Sequence, residues 1–280
     1  MGEIKMITNK HYKTAIAALL STCFWGVSAA HGAINVTGPA FNYTQTFDAL
    51  SASGTSGWTN DLTLSGWNLF RQPGTAISTY IAGDGSNNTG SFYSFGTTGS
   101  SERALGAIGS GSSYFGSPST GSVAGWIAVA FQNNSATALK NFTVGFDGEQ
   151  WRNGGNTSAQ AMVLEWGFGS DFASVASWNA PGGNFDWSSP VTGASAGAVD
   201  GNAAGHVTGL GGMISTVWQP GDTLWLRWAE RNDTGYDHGL AIDNFRFAAS
   251  VPEAGTYGMM LAGLAVIALM ARSSRPSIQA

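Results

Sequence analysis

Apolar and polar residues alternate along several short stretches of the chain. Phe142, Val144 and Phe146 occupy every second position of one stretch, and the same spacing recurs at 162–168 and 224–228. Because successive side chains of a strand point to opposite faces, this period of two predicts strands with one buried face. The stretch 126–131 (WIAVAF) is apolar at every position, which predicts a central strand that is covered on both faces.

Turn-forming clusters of Gly, Asn, Asp and Pro separate these stretches. They lie at 84–85, 133–134, 147–148, 181–183, 220–222 and 237–239. Such clusters end strands, and no helical periodicity longer than about two turns interrupts the pattern. Short strands at this spacing predict an all-β, jelly-roll-like β-sandwich over residues 34–250. We expect its terminal strands, at 45–50 and 239–247, to lie side by side, and the Gly/Ser-rich segment 107–120 to be a surface loop.

Composition fits this fold class and excludes several functions. The 280 residues include 40 Gly, with 12% aromatic and 43% hydrophobic residues, which supplies both tight turns and a core. The formal net charge is −5, so we expect no nucleic-acid partner, because phosphate backbones are bound by basic clusters. Cys23 is the one cysteine and lies outside the predicted sandwich, which therefore has no thiolate nucleophile and no thiolate metal site.

The N-terminal segment has the order of a secretory signal peptide. Lys5, Lys10 and Lys13 precede a short apolar run at 14–27, and small residues follow it. A positive start, an apolar centre too short to span a bilayer and a small-residue cleavage region are the parts of such a peptide. We therefore predict a signal peptide over residues 1–33 and passage through the Sec translocon.

The C-terminal segment holds a second targeting pattern, in three parts. An apolar run at 257–271 lies between a short motif that contains proline and an acid and a basic end. The run predicts one transmembrane helix, since ~15 helical residues rise ~22 Å and the residues before them can complete the ~30 Å hydrocarbon core. The basic end favours a cytoplasmic C-terminus, which places the sandwich outside. The residues that we expect to act in sorting are Val251, Pro252, Glu253, Arg272 and Arg275.

This tail, over residues 251–280, resembles the PEP-CTERM sorting signal of Gram-negative bacteria, which joins a Pro-Glu-Pro-like motif, a short helix and a basic end. Ala254 stands where the second proline of the motif is expected. The resemblance implies recognition by an exosortase-like membrane protease that cleaves near the motif. It also implies export, a transient anchor in the inner membrane through the helix, and final placement at the cell surface or outside the cell.

The predicted sandwich also resembles a domain that recurs in secreted bacterial proteins, some of which are surface proteins. The matching stretches include 47–50, 101–106, 148–152, 224–228 and 237–244. This resemblance implies a secreted β-sandwich and does not imply any particular activity.

Acidic and amide side chains crowd the segment 230–243 (ERNDTGYDHGLAID). Ca²⁺ prefers about six to eight oxygen ligands, mostly from carboxylates and carbonyls. We therefore consider Glu230, Asn232, Asp233 and Asp237 as candidate metal ligands, with Ca²⁺ as the one cofactor that the sequence suggests. The alternative is a polar turn in which Asp and Asn side chains bond to their own backbone.

A second group of polar and aromatic residues, Glu149, Trp151 and Arg152, has the chemistry of a ligand-binding site for sugars. The indole offers a stacking surface and the charged groups offer hydrogen bonds to hydroxyls. The alternative is structural, with Glu149 paired to Arg103 or Arg227 inside the sandwich. Further tryptophans lie near turn signals, and we expect a few of this set on a binding face: Trp58, Trp67, Trp151, Trp178 and Trp187.

Catalytic motifs are missing from the sequence. It holds no HExxH and no P-loop, and the G-x-S-x-G pattern at 193–197 lacks the strand-to-helix context of a nucleophile elbow. We predict a non-enzymatic surface or matrix protein with a structural or adhesive role. One alternative is a carbohydrate-binding module with structural calcium and extracellular polysaccharide as its partner. Another is a secreted glycoside hydrolase that uses two carboxylates.

Overall fold

The structure, a computed structural model, describes residues 32–250 and, in addition, Leu264 and Ile267. Those two residues are helical and exposed. None of the described helices is long and apolar enough to cross a membrane. Nearly all of the predicted signal peptide at 1–33, and all but these two positions of the predicted helix at 257–271, lie outside the described residues.

Sixteen strands are present among the described residues. In chain order they are β1 (Ile34–Val36), β2 (Phe41–Gln45), β3 (Thr55–Gly57), β4 (Trp67–Arg71), β5 (Thr75–Ala76), β6 (Thr79–Gly83), β7 (Ser91–Phe95), β8 (Ala104–Ile108), β9 (Val123–Asn133), β10 (Leu139–Asn153), β11 (Ala161–Phe168), β12 (Trp187–Ser188), β13 (Gly197–Ala198), β14 (His206–Trp218), β15 (Thr223–Arg231) and β16 (Gly239–Ser250). The first sheet has the order β12–β11–β15–β9–β4–β5, with β1 also paired to β9. The second sheet has the order β13–β10–β16–β8–β7–β6–β3, with β14 also paired to β10 and β2 to β16. These two sheets confirm the all-β sandwich.

Strand β9 shows why the stretch 126–131 is apolar throughout. The strand pairs with β15 on one side and with β4 on the other, so it is central, as predicted. Ile127 and Val129 face the core between the sheets. Trp126 and Ala128 face the opposite way, into a second apolar cluster. Both faces of β9 are therefore buried.

The core between the sheets is rich in aromatic rings. Trp67 of β4 stacks on Trp228 of β15 with 6.0 Å between ring centroids, and Phe245 of β16 meets Trp67 edge-on at 5.1 Å. Phe142 and Phe146, from the alternating stretch in β10, are buried in the same core, which confirms the prediction made from their spacing. Each fully buried side chain of this kind contributes about 1.5–3 kcal/mol.

The terminal strands β2 and β16 are neighbours, as expected. They pair antiparallel, with Gln45 opposite Phe245. The bounds predicted for the first of them, 45–50, are wrong, because the chain turns after Gln45. The side-chain Oε1 of Gln45 accepts a hydrogen bond from the Phe47 N–H at 2.9 Å, and Phe47 has a φ of 59°.

The turn predicted at 147–148 is also wrong. Strand β10 continues through it, and its pairing with β16 shifts register between Gly145 and Asp147. A β-bulge inserts an extra residue and bends a strand without ending it. The carboxylate of Asp147 caps no turn; its Oδ2 accepts a hydrogen bond from Asn244 Nδ2 at 3.0 Å.

The Gly/Ser-rich segment 107–120 begins in β8 and leads to β9, so it connects the two sheets. It contains the 3₁₀ helix Ser113–Phe115, whose phenylalanine is buried in the main core. Two further 3₁₀ helices, Phe172–Ser174 and Gly183–Phe185, lie between β11 and β12.

Candidate functional site

A polar cleft with a volume of about 590 Å³ opens at one end of the second sheet. Strands β8 and β10 end there, and the loops between β15 and β16, between β12 and β13 and between β6 and β7 contribute the rest of the lining. We call it the Tyr236 cleft. Its lining residues are Asn88, Ile108, Gly109, Ser110, Gly111, Arg152, Gly154, Gly155, Ala194, Ala196, Asn232, Gly235, Tyr236 and Asp237.

Tyr236 presents its side chain to solvent at this cleft. It is 73% exposed. Among the described residues it is the one aromatic member of the set of exposed large hydrophobic side chains, which otherwise contains Leu62, Met213, Val217, Leu264 and Ile267. Tyrosine is enriched at binding interfaces, because its ring offers apolar surface and its hydroxyl a hydrogen bond. The exposed ring makes the cleft the candidate ligand site.

Side chains from the segment after β10 hold the loop that carries Tyr236. Asn156 Nδ2 donates hydrogen bonds to the carbonyls of Thr234 and Tyr236 at 2.9 and 3.1 Å. Gln160 Nε2 donates to the Tyr236 carbonyl at 2.9 Å, and Gln160 Oε1 accepts from the His238 N–H. These bonds fix the backbone on both sides of Tyr236, so the loop is in place before a ligand arrives.

His238 is buried next to this loop, and its hydrogen bonds are structural. Its Nδ1 accepts from the Gly154 N–H at 2.9 Å, which assigns the proton to Nε2. Nε2 lies 3.3 Å from the carbonyl oxygen of Ser158. Burial lowers the pKa of His238, which favours the neutral ring. The imidazole therefore links two loops and does not stand free as a general base.

The four residues predicted to bind calcium lie on or beside the cleft, and the side chains of three of them form hydrogen bonds with the backbone, one of them within the loop and two to distant segments. Asn232 Nδ2 donates to a backbone carbonyl at 2.9 Å. Asp237 Oδ1 accepts from the Asp233 N–H at 2.7 Å, as in the polar-turn alternative. Glu230 is buried, and its Oε1 accepts from the Gly109 N–H at 3.1 Å. These acids do not form one of the groups of described side chains that are close enough to share one ion, and calcium binding here stays a prediction.

The acids of this loop have raised pKa values. Burial raises the pKa of Asp237 to about 7, against a backbone hydrogen bond from Asp233 that lowers it. Burial, with the charges of Asp237 and Asp233, raises the pKa of Glu230 well above its usual range. Of the residues that line the cleft, Asp237 is the one carboxylate. The lining thus provides one of the two carboxyl groups that glycoside hydrolysis requires.

Two of the three predicted sugar-binding residues, Glu149 and Trp151, face the interior. Trp151 is 1% exposed and stacks on Phe95 with 6.2 Å between ring centroids. Its Nε1 donates to Glu149 Oε2 at 2.8 Å. Arg152 Nη1 donates to the carbonyl of Gly85 at 2.9 Å, and Arg152 is the member of this set that lines the cleft. A ring as buried as that of Trp151 has no open face for a sugar.

The structural alternative for Glu149, an ion pair, does not form among the described residues. Arg227 Nε pairs instead with Glu165 Oε2 at 2.6 Å. The Arg103 Nε donates to the hydroxyl of Ser94 at 2.8 Å. Glu149 is therefore a buried carboxylate held by the Trp151 indole and not by an arginine.

Four of the five tryptophans near turn signals are buried. Trp58, Trp67 and Trp187 are buried like Trp151, and Trp178 is partly buried beside the guanidinium of Arg227, 3.8 Å from its ring centroid. The sequence did not single out Tyr236 as a binding residue, because the acids around it suggested a calcium site. The available signal was an aromatic residue between Gly235 and Asp237, where no strand period buries it.

Comparisons with known proteins identify the tail. The family model described as "PEP-CTERM protein-sorting motif" matches residues 250–275. This match confirms the resemblance of the tail and marks the chain as an exported exosortase substrate that is placed at the cell surface or outside the cell. No curated protein matches the chain. The CBM22-1 xylan-binding domain from Paenibacillus barcinonensis Xyn10C aligns with 78% of this chain and 99% of its own length, at 9% identity and a TM-score of 0.36. That TM-score is too low to bear on fold or ligand.

Proposed function

We propose that this chain is a non-enzymatic module of the cell surface or extracellular matrix that binds polysaccharide in the Tyr236 cleft. The observation that carries the proposal is the side chain of Tyr236, 73% exposed on a loop that Asn156 and Gln160 brace. A loop held in place loses little freedom on binding, and the face of its exposed ring accepts the apolar side of a sugar ring. The role is adhesive, since the bound polymer connects the module to the matrix.

The size and lining of the cleft support this ligand class. Its volume of about 590 Å³ falls within the range of about 300–1,000 Å³ that is typical of small-ligand sites. Arg152, Asn232 and Asp237 place charged and amide groups along it, which suits a ligand covered with hydroxyls. Several lining residues are glycines, which allow a ligand to approach the backbone closely.

The acid content of the cleft supports a binding role over catalysis. A glycosidase needs two carboxyl groups that flank the scissile bond. Asp237 is the one carboxylate among the lining residues. The neighbouring Glu230 is buried, and one of its oxygens is occupied by the Gly109 N–H.

The position of the sorting motif supports release of an intact module. Strand β16 ends at Ser250, and the match to the sorting motif begins at the same residue. Cleavage near Pro252 leaves both sheets complete. In this account the Sec translocon exports the chain, the predicted helix at 257–271 anchors it transiently in the inner membrane, and an exosortase-like protease then frees the module.

Polysaccharide binding by the Tyr236→Ala variant tests the proposal. Titration calorimetry against a panel of neutral and acidic polysaccharides should show binding of at least one by the wild-type chain. Loss of the ring should weaken that binding by about tenfold, which corresponds to about 1.4 kcal/mol. Leu62→Ala is the matched control, because Leu62 is 79% exposed but lies outside the cleft. A wild-type chain that binds nothing in the panel, or a Tyr236→Ala variant with full affinity, rejects the proposal.

A further inference from the structure

Three carboxylates converge on the outer face of the second sheet. Glu149 lies on β10 and Asp243 on β16, which are adjacent strands. Glu102 precedes β8, which pairs with β16 on its other side. Each residue offers a carboxylate oxygen, and the three oxygens lie within 4.8 Å of one another. We call these residues the three-carboxylate cluster.

The spacing of the cluster fits a single ion. Oxygen ligands lie about 2.3–2.6 Å from Ca²⁺, so two ligands on opposite sides of the ion are at most about 5 Å apart. The three oxygens, within 4.8 Å of one another, meet this limit. In the part of the chain that the structure describes, this is the one such group of three or more acid, His or Cys side chains.

Each carboxylate of the cluster has one buried oxygen that lacks a hydrogen-bond partner among the described residues: Glu102 Oε1, Glu149 Oε1 and Asp243 Oδ1. The other oxygens of the two glutamates are engaged. Trp151 Nε1 donates to Glu149 Oε2 at 2.8 Å, and Asn202 Nδ2 donates to Glu102 Oε2 at 2.6 Å. Because buried polar atoms are nearly always paired, three unpaired oxygens in one place point to a cation as their common partner.

Burial makes uncompensated charge at this place costly. Glu149 is 0% exposed and Asp243 is 3% exposed. Burial raises the pKa of Asp243 to about 8, and every charged neighbour that contributes to this shift is an acid. Burial likewise raises the pKa of Glu149 to about 7. The charges of the cluster therefore repel one another, and a bound cation relieves that repulsion.

A turn at 200–205 closes over the cluster. The Gly205 N–H donates to the Asp200 carbonyl at 2.8 Å, and the Asn202 N–H donates to Asp200 Oδ1 at 3.0 Å. Gly201 lies against the indole of Trp151 so closely that a Cβ there would be 2.4 Å from the ring. Because Asn202 also bonds to Glu102, an ion in the cluster connects this turn to three strands.

We infer that Glu102, Glu149 and Asp243 bind one hard divalent cation, Ca²⁺, at a structural site on the outer face of the second sheet. Carboxylate oxygens suit Ca²⁺, Mg²⁺ and Mn²⁺ better than softer metals. A buried set of three carboxylates favours Ca²⁺, because Mg²⁺ keeps several of its water ligands. The ion offsets two of the three negative charges of the cluster and joins β8, β10 and β16. This site is separate from the acidic loop at 230–237.

Calcium titration of the full-length chain, purified in mild detergent and freed of metal with EDTA, tests the inference. Calorimetry should show one binding site, and Ca²⁺ at 100-fold over its Kd should raise the Tm by about 5 °C or more. Glu149→Gln and Asp243→Asn remove charge with little change of shape. Each should weaken Ca²⁺ binding by at least about tenfold and, at the same Ca²⁺ concentration, reduce the rise in Tm by about half or more. Glu102→Gln, at the edge of the cluster, supplies a third variant in case a buried one fails to fold.

Asp222→Asn is the matched control, because it makes the same chemical change at an exposed acid that lies outside both the cluster and the acidic loop. It should bind Ca²⁺ like the wild-type chain. Asp233→Asn and Asp237→Asn test the acidic loop as the rival site, and the inference predicts that both retain Ca²⁺ binding. Loss of binding in these two variants, with full binding in the three cluster variants, overturns the assignment. A wild-type chain that binds no Ca²⁺ and has the same Tm in EDTA and in Ca²⁺ overturns it as well.

Discussion

The indole Nε1 of Trp151 donates a 2.8 Å hydrogen bond to Oε2 of Glu149, two residues earlier on the same strand. The bond holds the carboxylate and leaves Oε1 as its oxygen without a partner. Trp151, which the sequence suggested as a stacking surface for a sugar, thus orients a buried acid. The proposed sugar-binding surface is at Tyr236. The proposal of polysaccharide binding and the proposal of Ca²⁺ binding therefore depend on different parts of the molecule.

Trp151→Phe removes the hydrogen-bond donor and keeps an aromatic ring in place. Groups that orient a metal ligand affect metal affinity by about 10–100-fold, so we expect Ca²⁺ affinity to fall by about tenfold in calorimetry. Trp187→Phe is the control, because Trp187 is also buried and its Nε1 has no partner among the described residues. Equal Ca²⁺ affinity in the wild type and in Trp151→Phe would contradict the orienting role of the indole.

Gln160→Ala removes the buried amide that holds the Tyr236 loop. The His238 N–H and the Tyr236 carbonyl lose hydrogen bonds, so the free energy of unfolding should fall by about 1–3 kcal/mol in urea. Polysaccharide affinity should fall several-fold, although Gln160 does not line the cleft. Gln132→Ala, which removes one 3.4 Å bond at the surface, should change neither quantity. Full polysaccharide affinity in Gln160→Ala would show that the brace does not position the ring.

Gly201→Ala tests the fit of the turn over the second sheet. The added Cβ would lie 2.4 Å from the Trp151 ring, so the turn or the indole must move. Overpacking of this kind typically costs about 1–3 kcal/mol, to be measured as the change in the free energy of unfolding. Gly197→Ala is the control, since a Cβ there meets nothing within 4 Å. Equal stability of the two variants would mean that the turn is not packed against Trp151.

Strands β10, β11 and β15 were predictable from alternation, which follows directly from the pleat of a strand with one buried face, whereas the long strand β14 was not predicted. The spacing of apolar residues along the chain was enough to predict which side chains of β9 and β10 are buried in the core. It was not enough to predict burial on the outer face of a sheet, because a distant loop decides whether a side chain on that face meets water. Trp151 lies next to a turn-like sequence, and its indole is covered by Gly201, which is 50 positions further along the chain.

The three-carboxylate cluster could not be predicted from the sequence, for a related reason. Its members lie on or near β8, β10 and β16, and strand register brings them together. No spacing rule connects strands that are separated by long segments of chain. The acids at 230–237 drew attention because they are close along the chain, whereas sharing an ion requires closeness in space. The exposure of Tyr236 likewise depends on how its loop is braced.

Acid stability should depend on Asp84. Hydrogen bonds from the Ser86 hydroxyl and N–H and from the Thr98 hydroxyl lower the pKa of Asp84 from 3.8 to about 2. A carboxyl group whose pKa is lower in the folded state stabilises the fold when it is charged. That contribution is complete above about pH 4 and is lost as the pH falls from about 4 to about 2.

Thr98→Val removes one of these bonds and should move the pKa of Asp84 upward, toward 3.8. The NMR titration of the side-chain carboxyl carbon measures this shift. Thr97→Val makes the same change one residue away and should leave the pKa in place. A wild-type pKa of 3.8 would contradict the hydrogen-bonded arrangement.

Co-sedimentation with the extracellular polysaccharide of the host tests the central claim, that the Tyr236 cleft binds polymer. The account predicts that the wild-type chain and Leu62→Ala sediment with the polymer and that Tyr236→Ala remains in the supernatant. Tyr236→Trp, which keeps an aromatic ring at the cleft, should sediment again. A Tyr236→Ala chain that sediments as fully as the wild type, or a wild-type chain that stays in the supernatant, would contradict the account.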